Sequence, residues 1–166
     1  MDKAQINQAF IYIAAILVIG IIVFVAAKGW NVIFKTNCEV QKADFEKSIF
    51  ASIDQYSDYG TVKEVSLLAP CDAVAVCFGD ASVTNVNNDA ADGGEIDDVI
   101  ASNMNSGTAN VFVKTKFTEA LGLSAKVRVD NSVESDHVVC AKVKSSHIKL
   151  RFSGQGKTVT IEDAYS

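Results

Sequence analysis

The sequence predicts an α+β protein in which a long N-terminal membrane or stem helix precedes an amphipathic helix packed on a mostly antiparallel β-sheet domain. Three observations predict this fold: an uninterrupted apolar run near the N-terminus, a second stretch with apolar residues at helical spacing, and short alternating segments beyond Gly60. We therefore expect three parts. They are residues 1–28 as leader and apolar helix, residues 29–60 as stem helix, and residues 61–166 as an extracellular β-rich domain.

The apolar run covers residues 9–27, which read AFIYIAAILVIGIIVFVAA and contain neither a charge nor a proline. A helix rises about 1.5 Å per residue, so the run is about 28 Å long, close to the hydrocarbon thickness of a bilayer. We expect one membrane-spanning helix with the C-terminal domain outside the cell. A buried core helix, a cleaved secretory signal and a plain uncleaved anchor are the alternatives.

The second helix is predicted by an apolar stripe between residues 42 and 59, with charged residues between the members of the stripe. A spacing of three and four residues places such side chains on one helical face, which we expect to pack against a sheet. Gly60 is a suitable stop. The stripe consists of Phe45, Ile49, Phe50, Ile53 and Tyr56.

Beyond Gly60 the apolar residues alternate, which is typical of half-buried strands. The segments between residues 127 and 161 are spaced like an antiparallel meander. Residues 96–104 suggest a short helix, residues 79–95 an exposed loop, and residues 118–122 a turn. Strands are expected near residues 62–68, 73–78, 111–117, 124–129, 137–143, 148–152 and 158–161.

The residues just before the apolar run resemble the class III signal of archaeal type IV pilins. Lys3 and Ala4 match the end of that family's leader, and Gln5 matches the first residue of the mature protein. Phe10 matches the apolar residue often found at mature position six. The resemblance implies cleavage between Ala4 and Gln5 by a prepilin peptidase-like enzyme. It also implies that pilus assembly machinery then incorporates the processed subunit into a filament.

The resemblance also implies a function as the structural subunit of a surface filament. The membrane-inserted precursor would release its helix into a helical homo-oligomer, where small residues allow close helix packing. Asn7 and Ala9 stand where the family often has Ser and Glu. The alternative is a non-polymerising, single-pass membrane-anchored extracellular binding protein. The expected polymerisation residues are Phe10, Ala14, Ala15, Gly20 and Phe24.

The chain has four cysteines, Cys38, Cys71, Cys77 and Cys140. An even number in a β-rich domain indicates disulfides and an oxidising compartment. We favour a local Cys71–Cys77 bridge, because a turn could join them, with Cys38–Cys140 as the second bridge. Free core thiols and a zinc site remain as alternatives, although the spacing fits zinc poorly.

Composition and motifs exclude several other classes of protein. A net charge of −5 argues against a nucleic-acid binder. The sequence has no phosphate-binding glycine motif and no nucleophile elbow, and its two histidines, His137 and His147, lie in strand-like segments. We therefore expect no enzyme activity, cofactor or metal. Six acidic residues could supply calcium ligands, but a solvated loop is the simpler interpretation. They are Asp80, Asp89, Asp92, Glu95, Asp97 and Asp98.

We predict that protein isolated from its native surface fraction lacks residues 1–4, because the leader resemblance places the cut after Ala4. Intact-mass spectrometry before and after reduction measures this loss. The same experiment counts the disulfides, since each reduced bond adds two hydrogens. A full-length mass would contradict cleavage, and an unchanged mass on reduction would contradict the disulfides.

Overall fold

The computed structural model of the chain describes residues 3–86, 96–129 and 137–164. Within this part, the side chains of residues 3–10 and 27–36 are excluded from the description. The chain forms two compact units, of which the first ends at Val40 and the second begins at Gln41.

The described helices are α1 (Lys3–Gln55) and α2 (Asp98–Ser106). The two helical segments expected at the N-terminus therefore belong to one helix of 53 residues. The described strands are β1 (Val62–Leu68), β2 (Ala75–Gly79), β3 (Val111–Lys114), β4 (Thr118–Gly122), β5 (Val127–Val129), β6 (Val138–Lys142), β7 (His147–Gly154) and β8 (Val159–Asp163).

The strands form two four-stranded sheets. The first sheet has the order β1-β7-β8-β5, and the second has the order β4-β3-β2-β6. Every described pairing is antiparallel except β5 with β8, which is parallel. The second unit is thus an α+β arrangement with the C-terminal part of α1 packed against the strands.

One hydrophobic core joins α1 to both sheets. Phe45, Ile49 and Ile53 follow each other at four-residue intervals and are at most 3% exposed. They cluster with side chains of the first sheet, such as Leu150 and Phe152, and with residues of the second sheet. Phe50 and Tyr56 pack against the edge of the same core. The predicted packing of the apolar stripe against a sheet is therefore confirmed.

A second core lies on the opposite face of the second sheet. Cys77 and Phe112 point into it from β2 and β3, and Ile100 and Met104 cover it from α2. All five residues of β2 are consequently buried, since neighbouring side chains enter different cores. The strand expected near residues 73–78 corresponds to β2, which occupies an inner position of the second sheet, between β3 and β6.

The predicted membrane-spanning helix is wrong. A span needs about 20 consecutive apolar residues in one helix. Among the residues that the structure describes, no helix combines the length and apolar character required to cross a membrane. This finding corrects the expected fold class, which began with a membrane stem helix, and the expected single-pass membrane precursor.

The predicted meander is also wrong. β6 pairs with β2 in the second sheet, and β5 pairs with β8 in parallel, so among the described strands between residues 127 and 163 only β7 and β8 form a hairpin. Residues 118–122 form strand β4 rather than a turn. The physical reason is that these strands bury side chains against two different cores, which the spacing of turns along the chain does not reveal.

We expect Leu150→Ala in β7 to lower the free energy of unfolding by about 2–5 kcal/mol, because the change leaves a cavity in the first core. Leu150 is fully buried. Leu123→Ala is the matched control, since Leu123 is 52% exposed, and it should change stability by less than about 0.5 kcal/mol. Urea unfolding followed by circular dichroism measures both, and equal losses would contradict the described core.

Candidate functional site

The N-terminal half of α1 presents a continuous apolar surface. Its large side chains between Ile11 and Val25 are 56% to 70% exposed. A helix turns once every 3.6 residues, so consecutive exposed residues cover its whole circumference. We call these side chains the apolar helix surface. Their residues are Ile11, Tyr12, Ile13, Ile16, Leu17, Val18, Ile19, Ile21, Ile22, Val23, Phe24 and Val25.

Four of the five predicted polymerisation residues lie on described parts of this helix. Ala14 and Ala15 are exposed, and Phe24 is 62% exposed. Gly20 has open space beside it, because no heavy atom lies within 4 Å of the position a Cβ would take. Phe10 is helical, but its side chain lies outside the description. The described side chains among these residues are therefore exposed in the single chain.

The predicted processing residues Lys3, Ala4 and Gln5 form the first turn of α1. Their side chains lie outside the described part of the molecule. The processing site therefore stays a prediction from the sequence.

The cysteine pairing differs from the predicted pairing. Cys77 and Cys140 lie directly opposite each other on β2 and β6 and form a disulfide. Cys38 and Cys71 are also disulfide-bonded, so two disulfides are present. The favoured Cys71–Cys77 and Cys38–Cys140 bridges are wrong, because cross-strand pairing joins residues 63 positions apart. Disulfides fit an extracellular location.

Asp80 links the two sheets at the end of β2. One carboxylate oxygen accepts hydrogen bonds from the backbone N–H and hydroxyl of Ser82, at 2.7 and 2.6 Å. The other accepts from the backbone N–H of Val129 in β5, at 3.3 Å. Burial alone would raise the pKa of Asp80, but these hydrogen bonds and the nearby Arg128 guanidinium outweigh it and hold the pKa below the ordinary value of an aspartic acid.

Two further residues from the predicted acidic loop have structural positions. Asp97 caps α2, because its carboxylate accepts from the backbone N–H groups of Val99 and Ile100. Asp98 lies in the first turn of the same helix, where a negative charge is favourable. Asp89, Asp92 and Glu95 lie outside the described residues.

Within the described ranges, no group of three or more potential metal ligands comes together. His147 is exposed at the start of β7, and its Nδ1 lies 2.9 Å from the carbonyl oxygen of Ser145. His137 precedes β6 and is half-buried. The two histidines therefore lie at strand starts in different sheets.

Sequence reasoning missed the role of Asp80, since an acidic residue after a strand has no distinctive spacing. Val129, the hydrogen-bonding partner of Asp80 in β5, becomes adjacent only in the folded chain. Comparisons with protein-family models, with curated proteins and with solved structures find no match for this chain.

We expect Asp80→Asn to lower the free energy of unfolding by about 1–3 kcal/mol at neutral pH, because an amide cannot replace every hydrogen bond the carboxylate accepts. The carboxyl pKa is lowered by folding. Its contribution is therefore complete above the unfolded-state pKa and disappears as the pH falls through the folded-state pKa. The stability difference should shrink in acid.

Asp58→Asn is the control, since Asp58 is exposed. It should change stability by less than about 0.5 kcal/mol. Urea unfolding of both variants across a pH series provides the measurement. A loss for Asp80→Asn that persisted undiminished in strong acid would contradict the role of the ionised carboxylate.

Proposed function

We propose that this chain is the structural subunit of a surface filament resembling archaeal type IV pili, and that it polymerises through the apolar helix surface. The observation that carries the proposal is the exposure of that surface, where twelve large apolar side chains are more than half exposed. Complete burial of one such side chain stabilises the associated state by about 1.5–3 kcal/mol relative to exposure to water. An isolated subunit in water therefore has a strong tendency to associate.

The distribution of the exposed side chains favours a bundle over a simple pair of helices. Two packed helices cover only one stripe on each partner, whereas a helix that is apolar all round needs neighbours on every side. Ile21, Ile22, Val23 and Phe24 are consecutive and each is about 61–62% exposed. A filament core in which each helix has several neighbours would cover all of these side chains.

Small residues along the same helix support close packing of several copies. Ala14, Ala15 and Gly20 have little or no side chain, so helix backbones can approach each other at these positions. The space beside Gly20 is open. In the proposed assembly the same contact repeats head-to-tail without closing on itself, which is the condition for a filament of indefinite length.

Two further features agree with an extracellular filament. The disulfides fit an oxidising compartment. The resemblance of Lys3, Ala4 and Gln5 to a pilin processing site supports removal of a short leader before assembly.

We expect Val18→Lys to abolish filament formation, because it places a charge within the helix bundle, where burial of an unpaired charge is costly. Val74→Lys in the second unit is the matched control. Val18 is 56% exposed and Val74 is 60% exposed in the single chain, so both changes are equally tolerable in a monomer. Each full-length protein is purified in detergent, the detergent is removed, and the sample is centrifuged. The pellet is then examined by negative-stain electron microscopy.

The wild-type chain and Val74→Lys should form sedimentable filaments, while Val18→Lys stays in the supernatant. Circular dichroism checks that both variants keep the wild-type secondary structure. The proposal fails if the wild-type chain stays monomeric without detergent, or if Val18→Lys forms the same filaments.

A further inference from the structure

Strand β1 is an edge strand with an open hydrogen-bonding edge. It lies at the end of the first sheet and pairs only with β7 among the described strands. It has seven residues and contains no proline. Folded proteins commonly shorten or interrupt such edges, because unpaired backbone groups recruit further strands.

The register identifies which backbone groups of β1 point outward. The N–H of Ala69 donates to Ser146, and Thr61 accepts from the N–H of Gly154. Antiparallel hydrogen bonds alternate along a strand, so the odd-numbered residues between these two bond to β7. The N–H and C=O groups of the even-numbered residues therefore face away from the sheet. These residues are Val62, Glu64, Ser66 and Leu68.

We propose that β1 pairs antiparallel with β1 of a second copy of this chain, centred on Val65. In this register Val62 lies opposite Leu68 of the other copy, and Glu64 lies opposite Ser66. The two first sheets would then join into one continuous sheet across a two-fold axis. This contact is independent of the apolar helix surface and does not rest on the filament proposal.

Charge and polarity select this register among its neighbours. Moving the centre to Glu64 or to Lys63 would place two like charges directly opposite each other, which is destabilising. Centring on Val65 pairs two exposed apolar side chains at each end, where Val62 is 66% and Leu68 is 56% exposed. It also joins all seven residues of each strand.

A groove beside β1 adds a complementary charge. In the proposed register Lys63 of the second copy lies opposite Leu67, and these side chains share one face of the sheet. Leu67 lines a groove between β1 and α1 to which Asp44 also contributes. Neither Lys63 nor Asp44 forms an ion pair with another described side chain. In the dimer, Lys63 of each copy would therefore lie near the groove that contains Asp44 of the other copy.

Cysteine cross-linking tests the register directly. Residues facing each other across a non-hydrogen-bonded antiparallel position have Cα atoms about 4.5 Å apart, within the range of a disulfide. We expect Val65→Cys in the full-length Val18→Lys background to form disulfide-linked dimers under mild oxidation. Thr160→Cys is the control, since this half-buried residue lies on the inner strand β8. Equal cross-linking of both variants would overturn the proposal.

Charge exchange provides the second measurement. In the Val18→Lys background, Lys63→Glu and Asp44→Lys should each weaken the dimer about tenfold in sedimentation equilibrium, because each replaces an attraction with a repulsion. Combining the two changes should restore the dissociation constant of the Val18→Lys parent. Lys142→Glu is the control, as Lys142 is exposed on β6, and it should leave dimerisation unchanged.

The outcomes separate the dimer from the filament. Filament loss in Val18→Lys with retained β1 dimers supports both proposals. A Val18→Lys chain that remains monomeric at every concentration, while the wild-type chain forms filaments, overturns the β1 contact alone and leaves the edge open to a strand from a different protein. If the two single variants weaken the dimer by different amounts and the double variant does not restore the dissociation constant, the pairing of Lys63 with Asp44 is overturned.

Discussion

The burial of β2 on both faces is the constraint on which the second unit depends. Every residue of this strand is buried, so the chain must supply cover on two sides. The first sheet and α1 cover one face, and α2 covers the other. The Cys77–Cys140 disulfide joins β2 to β6, and Asp80 joins the end of β2 to Val129 in β5. These links hold the layers around a central strand.

The N-terminal half of α1 shows the opposite condition. Its large apolar side chains between Ile11 and Val25 are exposed on every side of the helix, whereas Ile49 and Ile53 on the same helix are fully buried. The second unit thus buries hydrophobic cores of its own, whereas the apolar helix surface is exposed. In the proposed filament, this difference lets one chain combine a folded unit with a surface that associates.

The two proposed assembly contacts depend on different physical properties of the chain. The apolar helix surface is non-directional, because burial of apolar area favours any neighbour that excludes water. The edge of β1 is directional, because its backbone groups accept only a strand in a compatible register. A filament built through the first contact could be linked to another filament through the second.

The local features of the chain could be predicted from its amino-acid sequence. The apolar run, the stripe that includes Phe45 and Ile49, and most of the strands follow from the spacing of apolar residues, which depends only on helix and strand geometry. It did not reveal that β6 belongs to the second sheet or that Cys77 bonds to Cys140. Nor did it reveal the hydrogen bonds of Asp80.

These pairings and hydrogen bonds, and the open edge of β1, arise from the packing of the whole chain. Strand partners, disulfide partners and edges depend on which distant segments share a core, and Cys77 and Cys140 are 63 positions apart. Local periodicity states which face of a segment is apolar. It does not state which other apolar face will cover it, because many pairings satisfy the same pattern and packing of the whole chain selects one.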